Sequence, residues 1–497
     1  MSRRLHVVIF FTGAAVLAME IVAGRAMQPA FGTSLYIWGA VLSVTLLCLA
    51  IGYRWGGALA DRLADPERRL AQFIAASAVW LLALPLFLPL ILELGLAFGL
   101  RLGPIVVAIA LFAVPLTLLA TATPLAFGAI THADDHQPAT TMGRLFAIST
   151  AGSIAGALIA AYLLVPMLGL RRSLFAVAAA MAVVAALYAV RGIAARSATV
   201  LLTLGLIVKM VPLDFAPAFA DGVRVVDRRD SLYGHLLVVD DSRSTARILL
   251  LDGTAQSIAR GADLRDGLFY AEVIAAAADR HQRGKALLLG LGGGILARNL
   301  AAMGYQVDAV ELDPEMIAVA REYFYLGDDD ARVFEMDARR FVEDARARGD
   351  SYTLVVVDVA GAGHHPGHVY SLESFAGIRE LLGDDGLLAV NMVTTINPVN
   401  DFGQAVMASL RQLFDHVEGY VDRVPHEIDQ VSTLVALASG APVDAPAVGT
   451  PLSADSFADV EPATDDHNPG ELGAGHTNAE IRRADRDWLG AGIIMPW

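Results

Sequence analysis

The feature that decides most about this chain lies in its first 213 residues, where apolar stretches recur near the ~20 residues a helix needs to cross a bilayer. They begin at Leu5, Ile37, Leu70, Pro104, Gly143 and Ser173, with a weaker one from Thr199 that carries Lys209. A cleaved secretory leader supplies one such segment, not six or seven, so residues 1–213 read as an α-helical transmembrane bundle. Small residues crowd these runs, as in Gly152-Ser153-Ile154-Ala155-Gly156, and let helix backbones approach closely in lipid. Arg3 and Arg4 before the first span, and Arg62, Arg68 and Arg69 after the second, put the N-terminus in the cytoplasm. Six spans return the rest of the chain to the cytoplasm; a seventh puts it outside. The stretch Val200 to Leu213 fits a helix lying along the interface as well as one crossing it. Glu20, Arg25, Gln28, Arg54 and Glu93 fall within or beside the spans. Such groups are costly there, and they either fix helix packing or form a transport or lipid-substrate site.

Charge separates this part from the remainder. Residues 1–213 hold 14 Lys+Arg and 7 Asp+Glu, whereas the rest holds 23 and 45, a net charge of +7 against −22. Only 18% of the chain is charged and 55% is hydrophobic, which excludes a disordered or simple soluble protein. An acidic second half also argues against nucleic acid, whose phosphates require a basic face. The single cysteine, Cys48, allows neither an internal disulfide framework nor a cysteine-rich metal site.

From about Asp221 short β-type runs alternate with helical ones. Leu236 to Asp240 and Arg247 to Leu251 suggest a small β-rich region over 221–280. An α/β Rossmann-like, class I methyltransferase-like domain follows over 281–440, and 441–497 is a C-terminal extension contributing to the site. Lys285 to Leu289 reads as a buried strand ending in the glycine-rich turn Gly290-Leu-Gly292-Gly293-Gly294, with a helix from Ile295 to Met303. A second strand, Gln306 to Leu312, carries Glu311 near its end. Glycines let the backbone approach a nucleoside, a helix start offers free N–H groups, and an acid ending the second strand accepts ribose hydroxyls. Ala331 to Glu335 leads into Met336-Asp337-Ala338, Tyr352 to Val357 ends at Asp358, and Leu387 to Met392 follows the turn Gly383 to Gly386. Gly290, Glu311, Asp337 and Asp358 therefore recur at strand carboxyl ends, where open α/β sheets bind ligands.

These residues bring a family into view. With Tyr233-Gly234, Leu251-Asp252-Gly253, Gln256, Tyr270, Glu272 and Val310-Glu311-Leu312-Asp313, the stretch from about Asp230 to Leu437 resembles the spermidine synthase (polyamine aminopropyltransferase) family. The whole chain resembles its membrane-bound branch, through Glu20 to Arg25, the Gly56 to Arg62 loop and Thr464-Asp465-Asp466-His467-Asn468-Pro469. That loop, with Arg68-Arg69, also resembles the one between the second and third helices of major facilitator transporters. The membrane half is too short for a twelve-helix transporter of that kind.

The resemblance implies transfer of an aminopropyl group from decarboxylated S-adenosylmethionine, a co-substrate, to a small amine, with no metal. It implies Glu311 on the ribose, Asp337 and Ala338 around the adenine, Gln256 along the donor, Gly290 and Gly292 in its turn, and Asp358 and Tyr270 as catalytic groups. Tyr233, Glu272, Asp465 and Asp466 are the expected substrate contacts. The pattern departs at Gly293 and Gly361, where the family carries aspartates, and at Ala271, where it carries a histidine. Asp465, Asp466 and the loop His364-His365-Pro366-Gly367-His368 are candidate substitutes for the lost polar groups. That loop reads as a cover over the site, with metal binding or proton shuttling as the other readings. Gly293 also leaves room for a methyltransferase using S-adenosylmethionine itself, and a nucleoside- or polyamine-sensing transporter-like protein is a third reading. The lipid bilayer is the expected partner, a homo-oligomer is compatible with the reading, and the soluble half is expected in the cytoplasm as part of an integral inner or plasma membrane protein.

Overall fold

The computed structural model describes residues 3–31, 35–131, 138–188, 205, 219–265, 267–360, 365–396, 399–422, 431–444, 446–452, 457 and 460–490. The chain divides into two compact units, Met1–Pro217 and Ala218–Ile494.

The first unit is helical: α1 (Arg3–Phe31), α2 (Leu35–Ala60), α3 (Pro66–Ala97), α4 (Gly99–Ala120), α5 (Ala122–Thr131), α6 (Pro138–Ile159) and α7 (Val165–Tyr188). Among the described residues five spans are long and apolar enough to cross a membrane, Arg4–Gln28, Tyr36–Ala60, Pro66–Ala97, Arg101–Thr131 and Pro138–Leu164. The sixth expected span, from Ser173, is a shorter apolar helix, Arg172–Ala186, and α7 is kinked just before it at Gly169, whose φ of 72° no helix interior adopts. The weaker stretch from Thr199 lies outside the described residues, apart from Gly205. Small residues act as expected where α1 meets α6. A Cβ on Gly152 would lie 2.0 Å from the Phe10 carbonyl oxygen, and one on Gly156 2.0 Å from that of Ala14. Leu42, Leu46, Leu47 and Ile51 of α2 are exposed, as lipid-facing side chains are. Glu20 is buried, and Arg25 donates to Gln28 Oε1 at 3.2 Å.

The second unit opens with an antiparallel four-stranded sheet in chain order, β1 (Val223–Asp230), β2 (His235–Asp241), β3 (Ala246–Leu251) and β4 (Thr254–Arg260). It continues through α8 (Phe269–Arg280), β5 (Lys285–Leu289), α9 (Ile295–Ala302), β6 (Gln306–Glu311), α10 (Pro314–Tyr323), β7 (Arg332–Glu335), α11 (Ala338–Arg348) and β8 (Tyr352–Val357). Next come α12 (Leu372–Leu381), β9 (Leu382–Thr395), α13 (Asp401–Leu413), β10 (His416–Val421), β11 (Val431–Ser439), β12 (Thr450–Pro451) and α14 (Gly470–Leu489). The eight-stranded sheet has the order β12-β10-β11-β9-β8-β5-β6-β7, with β5 to β9 parallel and β11 antiparallel to β9.

Both faces of this sheet are covered, so its central strands are apolar throughout. Leu287 and Leu289 of β5 join one core with Phe341 of α11 and Phe375 of α12; Ala286 and Leu288 join the other with Val273 of α8 and Leu300 of α9. The small β-region expected up to residue 280 thus ends in a helix that packs against the large sheet. Gly383 to Gly386, read as a turn, is a bulge inside β9: partners along β8 jump from Leu382 to Leu387 between Tyr352 and Leu354. Chain order reverses between β5 and β8, the switch point at which such sheets form a crevice.

Candidate active site

The crevice at that switch point is a cleft of about 330 Å³. Gly290, Gly292, Glu311, Asp337, Ala338, Asp358, Gln256, Tyr233 and Tyr270 all line it. Each strand delivers its residue by register. β6 ends at Glu311, β8 delivers Asp358 one residue past its end, and Asp337 caps α11 just past β7.

Gly290 must be glycine. Its φ is +92° and a Cβ would lie 2.1 Å from the Asp358 carbonyl oxygen, so two strand ends meet there without a side chain between them. Glu311 is held by backbone: Oε2 accepts the Leu291 N–H at 3.1 Å, and Oε1 accepts those of Leu312 at 2.8 Å and Asp313 at 3.0 Å. Burial pushes its pKa above the ordinary value while these bonds oppose the rise. Asp337 Oδ1 accepts the Arg340 N–H at 3.0 Å and Oδ2 lies 3.1 Å from His368 Nε2. Burial would raise its pKa, but these hydrogen bonds and the nearby imidazole hold it below the usual carboxylate range.

Asp358 accepts a hydrogen bond of 2.7 Å from Asn391 Nδ2 and another from the Tyr270 hydroxyl. Burial raises its pKa and both bonds pull it back. The Tyr270 phenol is pushed well above its ordinary value, first by burial and then by the charge of Asp358. Asn391 was not singled out from the sequence. It is buried, lines the cleft, and its Oδ1 has no hydrogen-bond partner. A polar residue inside the apolar strand Leu387 to Met392 was the one available signal. His365 and His368 also line the cleft, whereas His364 and Gly361 lie outside the described residues. Among the described residues no group of three His, Cys, Asp or Glu side chains is arranged to hold a metal.

Three expected contacts lie outside the lining of this cleft. Glu272 is exposed in the first turn of α8 and does not line the cleft, because a step of two residues turns it roughly 200° away from Tyr270. Asp465 does not line it either: its carboxylate accepts Ser371 Oγ at 2.6 Å and pairs with Arg339 at 3.3 Å. Asp466 is exposed beside it. Their segment instead ties down residues 367–370, since Asn468 Nδ2 donates to the carbonyls of Gly367 and Tyr370. At Gly293 a Cβ would meet Phe324 and Ser257 at 3.1 Å, so no acidic side chain fits there without displacement.

Fold and cleft together define the class: a helical unit with membrane-length apolar spans, followed by a mixed α/β unit of the methyltransferase-like kind. No family model matches the chain. Among curated proteins it is similar to a polyamine aminopropyltransferase of Vibrio vulnificus, 31% identical over 22% of this chain and 38% of that protein. It is also similar to an N-terminal histidine N-methyltransferase of Emericella nidulans, 28% identical over 36% of this chain and 35% of that protein. The chain thus spans little more than a third of the length of these relatives. Among solved structures, a probable spermidine synthase from Corynebacterium glutamicum aligns with a TM-score of 0.39 and 20% identity, over 44% of this chain and 81% of that one.

Proposed function

We propose that this chain is a membrane-anchored transferase that moves an aminopropyl group from decarboxylated S-adenosylmethionine to an amine. The charge of the cleft carries this reading. Its described lining includes four carboxylates, Glu311, Asp313, Asp337 and Asp358, and no Lys or Arg. A phosphate-bearing dinucleotide calls for cations and free N–H groups, whereas a cationic sulfonium nucleoside suits an acidic cleft. Bound there, the donor supplies a carbon activated by its positively charged sulfur.

The chain's own residues do the rest. Glu311, already aimed by three N–H groups, accepts the ribose hydroxyls. Asp337 and Ala338 flank the adenine, Gln256 follows the donor chain, and Gly290 and Gly292 leave the backbone bare against it. Tyr233 closes the nucleoside end. An amine attacks through its free electron pair and must first lose a proton; Asp358 receives it, while Tyr270 and Asn391 fix the direction of the carboxylate. Holding the amine in line supplies much of the remaining acceleration.

A methyltransferase is the second reading, favoured by the lack of an acid at position 293 and by the N-methyltransferase relative. The two separate by product. With each donor and a panel of amines, aminopropyl transfer yields methylthioadenosine and methyl transfer yields S-adenosylhomocysteine. We expect methylthioadenosine. S-adenosylhomocysteine alone moves the assignment to the second reading, and neither product, with the nucleoside still bound, moves it to a sensor or transporter.

A further inference from the structure

Resting on that transferase reading, we infer that the acceptor is a monoamine with an apolar body, not an amine charged at both ends. The sheet order divides the cleft. Glu311, Asp313 and Asp337 belong to the β6 and β7 side of the switch point, whereas Asp358, Asn391, Val393 and Thr433 belong to β8, β9 and β11 on the other. On this acceptor side Asp358 is the one carboxylate among the described lining residues. Beyond it the described lining residues carry no Asp, Glu, Lys or Arg and are in part aromatic.

Val393 on β9 pairs in register with Thr433 on β11. His365 stacks on Phe402 with ring centroids 4.8 Å apart and planes 25° from parallel. His365 Nε2 accepts the Val393 N–H at 3.4 Å. An ammonium placed against this wall would lose its water without gaining a counter-charge, whereas a hydrocarbon or aryl group gains burial.

The nitrogen itself is provided for. A neutral primary amine has two N–H groups, and Asp358 and the partnerless Asn391 Oδ1 supply two acceptors. That leaves its electron pair directed at the donor carbon. In the transfer a C–N bond forms and the C–S bond breaks, with its electron pair returning to sulfur. The sulfonium becomes a neutral thioether, the product leaves as a secondary ammonium, and the proton that Asp358 took from the incoming amine passes to solvent.

The test uses the full chain purified in detergent and both sulfonium donors, with pentylamine, phenethylamine and putrescine as acceptors and the nucleoside product as readout. We expect kcat/KM for pentylamine or phenethylamine to exceed that for putrescine by roughly tenfold or more, the worth of one charge-assisted contact. In Val393→Asp, and separately in Thr433→Asp, the ratio should move toward putrescine by about the same factor. Putrescine as the best acceptor of the unmodified chain, or no movement in either folded variant, overturns the inference and leaves the transferase reading intact. No nucleoside product with any amine, from protein that still binds methylthioadenosine, overturns the transferase reading and this inference with it.

Discussion

At Asp358 two opposing influences are balanced: burial raises the pKa of the carboxylate, and hydrogen bonds from Asn391 and Tyr270 lower it. In the proposed mechanism Asp358 accepts a proton and must be ionised, so activity should rise with pH through a pKa above the ordinary aspartate value. Replacing Asp358 with Asn should cut turnover by about a hundredfold or more, while methylthioadenosine affinity measured calorimetrically stays near that of the parent. Asn391→Ala removes a bond that favours the charged form, so the acid limb of the kcat/KM profile should move to higher pH. A merely structural Asn391 would lower stability and leave that limb in place. Gly290, Glu311, Asp337 and Asp358 were legible together because each falls at the end of a strand-like run, apolar for all but Asp337, whose run Arg332 to Glu335 is bounded by charges. Asn391 was not, since nothing in Leu387 to Met392 says which face of the strand meets the cleft until β8 and β11 pair with it. Glu272 rested on the family resemblance alone, and the turn of α8 sets it at the exposed surface, away from Tyr270.

Among the elements, α14 shows what lies beyond sequence reading. Arg482 is buried and donates to the Asp252 carbonyl, Asp485 accepts the Ala255 N–H at 2.9 Å, and Ile481 lines the cleft. Leu489 and Trp488 cover one face of the small sheet. Burial raises Asp485 to about 6, against the pull of the Ala255 N–H and Arg482. The folded state therefore binds a proton that the unfolded state releases between the ordinary aspartate pKa and about 6, and stability contributed at this site falls as pH rises through that window. Asp485→Asn keeps an acceptor for Ala255 and removes the charge. Its Tm should match the parent at about pH 4 and exceed it increasingly up to about pH 6, then by a constant amount. Equal Tm values at every pH would contradict the assignment. The strands β5, β6 and β8 were read from their apolar runs. The bulge in β9 and the docking of α14 were not, because both depend on partners more than thirty residues distant.

For the molecule as a whole, the charge contrast between residues 1–213 and the rest already marked two physically different parts, and the two compact units coincide with it closely. The number of crossings was less legible, because hydropathy alone leaves open whether Val200 to Leu213 crosses or lies along the interface, and that stretch, apart from Gly205, lies outside the described residues. On the proposed reading, with α7 counted as a sixth crossing, the second unit lies on the cytoplasmic side. A reporter fused after Trp497 should accordingly be active only on the cytoplasmic side. Activity on the other face would contradict that placement and leave the cleft without its donor.

The central claim is that one cleft holds one nucleoside between four strand ends, and density for methylthioadenosine bound to the full chain tests it most directly. The account predicts ribose hydroxyls on Glu311, the adenine beside Asp337 and Ala338, and the thioether sulfur facing Asp358. A nucleoside seated elsewhere, or in this cleft with its ribose away from Glu311, would contradict it.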